Sequence, residues 1–145
     1  MIWTLIAQSW AMTLGTWVAA ATFVGLLLAW AYSAPPLRLK LNGWWGNSAV
    51  ALSYEGLAWV TGAAIVLGGA LPSGPVLIIA LLYSTGAHGI MTLNDFKSVE
   101  GDLKLGIRSL PAQLGRERAA RVACLFMLLP QLIVIALLMS WQLNL

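Results

Sequence analysis

Long apolar runs alternate with short polar connections along the whole chain. From Ser9 to Tyr32 (9–32) almost every residue is apolar or small, and Pro35-Pro36 then stops any helix. Further apolar runs cover 47–67, 76–93 and 119–141. A helix rises about 1.5 Å per residue and a bilayer core is roughly 30 Å thick, so runs of this length predict four membrane-spanning helices. The third run is slightly short, and Pro130 predicts a kink in the fourth that neighbouring helices accommodate. The expected fold is all-α: residues 1–145 form a single transmembrane domain, a polytopic helical bundle of about four spans.

Two kinds of connection separate the runs. Gly68-Gly69-Ala70-Leu71-Pro72-Ser73-Gly74-Pro75 is an uncharged turn. The connections 33–46 and 94–118, with the adjoining Arg121, hold all eight Lys and Arg residues. Basic residues gather on cytoplasmic connections, so both of these are expected to face the cytoplasm of an inner membrane and the uncharged turn the other side. Trp44-Trp45 suits the membrane interface, and most of the other tryptophans read as interface or packing residues. The opening Met1 to Gln8 has no basic segment and no small-residue cleavage site, so it reads as a lead-in to a retained helix.

Composition narrows the class further. With 60% hydrophobic and 9% charged residues, the chain lies far from soluble domains, where about a quarter of residues are charged. The net charge of +3 follows from membrane topology, so lipid is an expected partner and nucleic acid is not. Cys124 is the only cysteine, which leaves no intrachain disulfide and no cysteine metal cluster.

The candidate chemistry is concentrated in Asn94 to Pro111, which holds Asp95, Glu100 and Asp102, three of the five acidic residues. On a continuous helix the seven-residue spacing would put Asp95 and Asp102 on one face, two turns apart, with Glu100 off it; Gly101 weakens such a helix. Carboxylates of this kind suit Mg²⁺, which keeps some water and joins protein carboxylates to substrate phosphates. Lys97, Lys104 and Arg108 would then meet the remaining phosphate oxygens, with Arg38 and Lys40 arriving from the other basic connection. The plainer alternative is an ordinary charged loop with snorkelling basic residues. Glu55 and His88 are ionisable groups placed inside predicted spans, at about the same depth, and such groups are functional candidates by default.

Asn94 to Pro111, with Asp95, Glu100-Gly101-Asp102, Gly106 and Ser109-Leu110-Pro111, resembles the second aspartate-rich motif of the intramembrane UbiA-type prenyltransferases. The form is that of the chlorophyll and bacteriochlorophyll synthase subgroup. Tyr32 to Lys40, followed by Asn42-Gly43-Trp44-Trp45-Gly46-Asn47, is similar to the matching connection, and Tyr54-Glu55-Gly56-Leu57 is closer to the bacteriochlorophyll branch. The resemblance implies a Mg²⁺-dependent enzyme of typically nine transmembrane helices, here in part. Its donor would be geranylgeranyl or phytyl diphosphate, and its acceptor the propionate of chlorophyllide or bacteriochlorophyllide. Asp95 and Asp102 would bind metal, with Glu100 a third acidic candidate; Lys97, Lys104, Arg108, Arg38 and Lys40 would face diphosphate. Glu55, His88 and Tyr54 would belong to the pigment pocket, with simple packing as the alternative for His88.

The departure from the pattern is large. The family carries another aspartate-rich motif between earlier helices, whereas no acidic residue precedes Glu55 here. The chain is therefore expected to be a middle-to-late part of such an enzyme, working with missing N-terminal helices or a complementing polypeptide. Other readings are a UbiA-type enzyme with a quinone or haem acceptor, and a non-catalytic or transporter fragment in which the acids line an ion path.

Overall fold

The structure, a computed structural model, describes residues 2–141. Within the first apolar run, Gly15 adopts φ 129°, a conformation open to glycine and strained for other residues. It divides the run into α1 (Ile2–Leu14) and α2 (Thr16–Ser33). Across this hinge α1 turns back against α2: Gln8 Nε2 donates to the Ala19 carbonyl at 3.1 Å, and Ala11, Val18 and Ala64 form a small buried cluster. The membrane-length helix here is thus Thr16–Ser33, and residues 9–14 of the expected span belong to α1.

The second span is assembled from α3 (Gly43–Ala51), one π turn (Leu52–Gly56) and α4 (Leu57–Val66). The third is α5 (Gly74–Asp95), with Pro75 in its first turn, where its missing N–H costs nothing. In the charged connection lie two short helices, α6 (Val99–Leu105) and α7 (Leu110–Leu114). The fourth span is α8 (Arg116–Ser140), with Pro130 buried inside it. The described residues thus form an all-α bundle in which four helical segments are long and apolar enough to cross a membrane.

The bundle packs through small residues. Ala49, Ala51, Ala80, Ala87, Ala119 and Ala123 are buried between α3, α5 and α8, whereas Phe23, Leu27, Leu125, Leu132 and Ile135 lie exposed on the outside. Lipid removes the drive to bury large apolar groups, so small side chains that let backbones approach form the contacts and bulky ones face the tails. The most extensive packing is between α5 and α8, with α3 and the π turn laid against α5. One end of the bundle carries the uncharged turn and the Gly15 hinge; the other carries both basic connections.

Candidate functional site

At the charged end the two connections are tied together through backbone. Asn42 and Arg108 form an isolated parallel bridge, in which the Gly43 amide donates to the Arg108 carbonyl at 2.7 Å and the Arg108 amide to the Leu41 carbonyl at 2.9 Å. The segments come this close because residue 43 lacks a side chain: a Cβ there would lie 2.5 Å from the Leu110 nitrogen. Asn42 then starts α3, its side-chain oxygen accepting from the Trp44 amide at 3.0 Å.

Asp95 is the last residue of α5, and the turn 96–98 interrupts the helix before α6 begins. The continuous face that the seven-residue spacing would provide is therefore absent, and the turn itself brings the two aspartates together. Ser98 Oγ lies 3.0 Å from Asp102 Oδ2 and 3.2 Å from the Asp95 carbonyl oxygen. Asp102 is buried, and Asp95 is half-buried. The Asp95 carboxylate accepts from Asn47 Nδ2 at 2.9 Å and from the Leu110 amide, and it is near enough to Asp102 for the two to repel.

These groups line a pocket of about 220 Å³, where Asp95, Asp102, Asn47 and Ser109 meet Tyr32 and Lys40 from the other connection. Ser109 is 4% exposed, and its Oγ has no hydrogen-bond partner among the described residues. The only ion pair among them, Arg121 with Glu117 at 2.5 Å, is on the exposed surface of α8, so neither aspartate has a basic counter-ion. Nor do three His, Cys, Asp or Glu side chains converge among the described residues. Two adjacent carboxylates and a free buried hydroxyl fit a hard cation that completes its shell with water and phosphate oxygens, which is how Mg²⁺ binds.

The UbiA prenyltransferase family model matches residues 1–145. The chain belongs to this family. It is 53% identical to the bacteriochlorophyll synthase 33 kDa chain of Cereibacter sphaeroides over 141 residues, covering 97% of this chain and 46% of that protein. Identity to the bacteriochlorophyll synthase 34 kDa chain of Chloroflexus aurantiacus is 52%, over 95% of this chain and 44% of that protein. With the chloroplastic chlorophyll synthase of Arabidopsis thaliana it is 52%, over 66% and 24% respectively. The chain thus spans less than half the length of these curated relatives. No solved structure gives a significant match.

Within this UbiA chain the other candidate residues lie apart from the acidic pocket. Glu100, Lys97, Lys104, Arg108 and Arg38 are exposed and do not line it. Lys97 Nζ lies 3.3 Å from Asn94 Oδ1, and Arg108 borders a separate pocket of about 330 Å³ with Leu103 and Gln113. Arg38 occupies a left-handed turn at φ 43°.

Deeper in the bundle the structure separates Glu55 from His88. The π turn presents Glu55 to a cleft of about 570 Å³ between α4, α5 and α8, lined by Trp59, Tyr83, Met127, Pro130 and Gln131. His88 lies outside that cleft, 3% exposed, with its ring 5.9 Å from Trp44, 4.6 Å from Phe126 and 3.2 Å from Ser48 Oγ. Ser48 is level with His88 and Gly56 packs against Ser84, one turn before His88 in α5, so Glu55 and His88 do not share the equal depth expected. Tyr54 is 77% exposed and faces outward.

Sequence reasoning placed Tyr32, Asn47, Ser98 and Ser109 within the motif stretches but gave none of them a role in the site. Asn47 did carry a signal: an amide near the start of an apolar run needs a partner within the protein.

Proposed function

We propose that this chain supplies the second acidic half of a Mg²⁺-dependent prenyl-transfer site. The complete protein then moves a geranylgeranyl or phytyl group from its diphosphate to the propionate carboxylate of chlorophyllide or bacteriochlorophyllide. The observation that carries the reading is the convergence of Asp95, Asp102 and Lys40 on one small polar pocket at the mouth of an apolar bundle. Similarity to bacteriochlorophyll synthase chains supports the pigment acceptor over a quinone or haem.

Bound Mg²⁺ supplies positive charge where the diphosphate gains negative charge as it leaves. Asp95 and Asp102 hold that cation, and the Lys40 ammonium draws the diphosphate into the pocket. Arg38, Arg108, Lys97 and Lys104 are exposed cations on the same two connections and would attract the anionic donor from outside the pocket; Glu100, also exposed, does not line it. The acceptor propionate is already an anion, so it needs positioning beside the allylic carbon more than it needs a base. The cleft that Glu55 borders offers an apolar, aromatic-lined volume for a large flat or chain-like group, within the usual range for ligand pockets. The basic connections face the cytoplasm in this reading.

In the full-length protein, Asp102→Asn is expected to lower turnover at least about a hundredfold, the scale lost when preorganised charge stabilisation is removed. Diphosphate release measured with labelled donor checks it, and an unchanged rate would refute the assignment.

A further inference from the structure

We infer that Asn47 is a positioning residue for Asp95, whose side-chain amide decides which carboxylate oxygen faces the pocket. The inference rests on the reading of Asp95 as a metal ligand.

Thr92 stands three residues before Asp95 in α5. Thr92 is fully buried in α5, and its Oγ1 donates to the His88 carbonyl at 2.9 Å. That uses the hydroxyl's one proton, so Thr92 offers Asn47 a lone pair. Asn47 Nδ2 lies 3.4 Å from this oxygen and 2.9 Å from Asp95 Oδ2. Both neighbours accept, so both must be met by the NH₂ group. A reversed amide would set its oxygen against a carboxylate and against a hydroxyl with no proton left to give.

The two protons of Asn47 are thereby assigned, one to Thr92 as an anchor and one to Asp95 as a tether. A carboxylate otherwise turns freely about its last torsion, which is broad. Asn47 from α3 and the Leu110 amide from α7 hold Asp95 from two sides, leaving its remaining lone pairs for the pocket. Asn47 itself is 9% exposed and borders that pocket. Groups that orient a ligand from behind typically change metal affinity by about 10- to 100-fold when removed.

The test is Mn²⁺ binding to the full-length protein in detergent, followed by electron paramagnetic resonance, with prenyl diphosphate present and absent. Asn47→Ala is expected to weaken Mn²⁺ binding by about 10- to 100-fold. Asn47→Asp keeps the shape but has no proton for either neighbour, and is expected to weaken it at least as much. Mn²⁺ held as tightly by Asn47→Asp as by the unsubstituted protein would make residue 47 a direct ligand and overturn the proposal. Thr92→Val is expected to lose part of the affinity and Thr92→Ser to restore it. Should Asn47→Asp fail to fold, normal Mn²⁺ affinity in both Asn47→Ala and Thr92→Val would overturn the proposal equally well. Asp95→Asn separates the two readings. If it binds Mn²⁺ normally, the metal-site assignment falls; if it loses Mn²⁺ while Asn47→Ala does not, only the role of Asn47 falls.

Discussion

At Gly43 the two basic connections pass so close that a Cβ would lie 2.5 Å from the Leu110 nitrogen and 3.1 Å from Ser109 Cα. Those neighbours serve the site directly, since the Leu110 amide donates to Asp95 and Ser109 Oγ enters the pocket without a partner. Gly43→Ala must push that backbone away, and overpacking of this kind costs about 1–3 kcal/mol. The expected outcome is a lower melting temperature in detergent together with weaker Mn²⁺ binding; Gly62→Ala, where nothing lies within 4 Å, is the control. Asp95 and Asp102 were legible as candidates because charge is rare in so apolar a chain. Asn47 was legible only as an amide in need of some partner, because that partner lies 48 positions away and no local spacing connects them.

Helix ends, more than helix interiors, decide how the elements meet. The run 9–32 is uniformly apolar, and hydropathy alone cannot see that Gly15 turns the chain there. Its positive φ and its contact with the Gly69 backbone define the hinge. Gly15→Ala meets both a strained conformation and a collision, so a loss of about 1–3 kcal/mol is expected, read as a fall in unfolding temperature. The break after Asp95 has a similar origin. Pattern reading over 95–102 allows a helix, but the chain turns at 96–98, and that turn puts both aspartates on one pocket. The π turn at Leu52–Gly56 likewise shifts Glu55 into the deep cleft, away from the level of His88. Each extra or missing residue in a helical turn rotates everything beyond it, which explains why residues inside the spans were harder to place than the spans themselves.

For the molecule as a whole, the two ends of the bundle differ sharply in charge. The turn between α4 and α5 has no charged residue, whereas the opposite end gathers the basic connections. Lys and Arg resist translocation, so a reporter fused at Ser98 is expected to register as cytoplasmic and one at Gly69 as external. A cytoplasmic signal from Gly69 would reverse the orientation and remove the site from the compartment proposed for it. The pocket draws on the end of α2, both connections, α3 and α5 at once. Its two carboxylates lie side by side without a basic counter-ion among the described residues, an arrangement that a divalent cation relieves.

The amino-acid order by itself determined that this chain enters a membrane, roughly where it crosses, and which short stretch holds its acids. These follow from the transfer of individual residues between water and lipid, a property that each residue carries wherever it sits. Only the tertiary structure decided that Asp95, Asp102, Asn47, Ser109 and Lys40 share one pocket while Glu100 and the other basic residues stay outside it. That outcome depends on where helices break and how closely distant backbones approach, and those are properties of pairs of residues far apart in the chain.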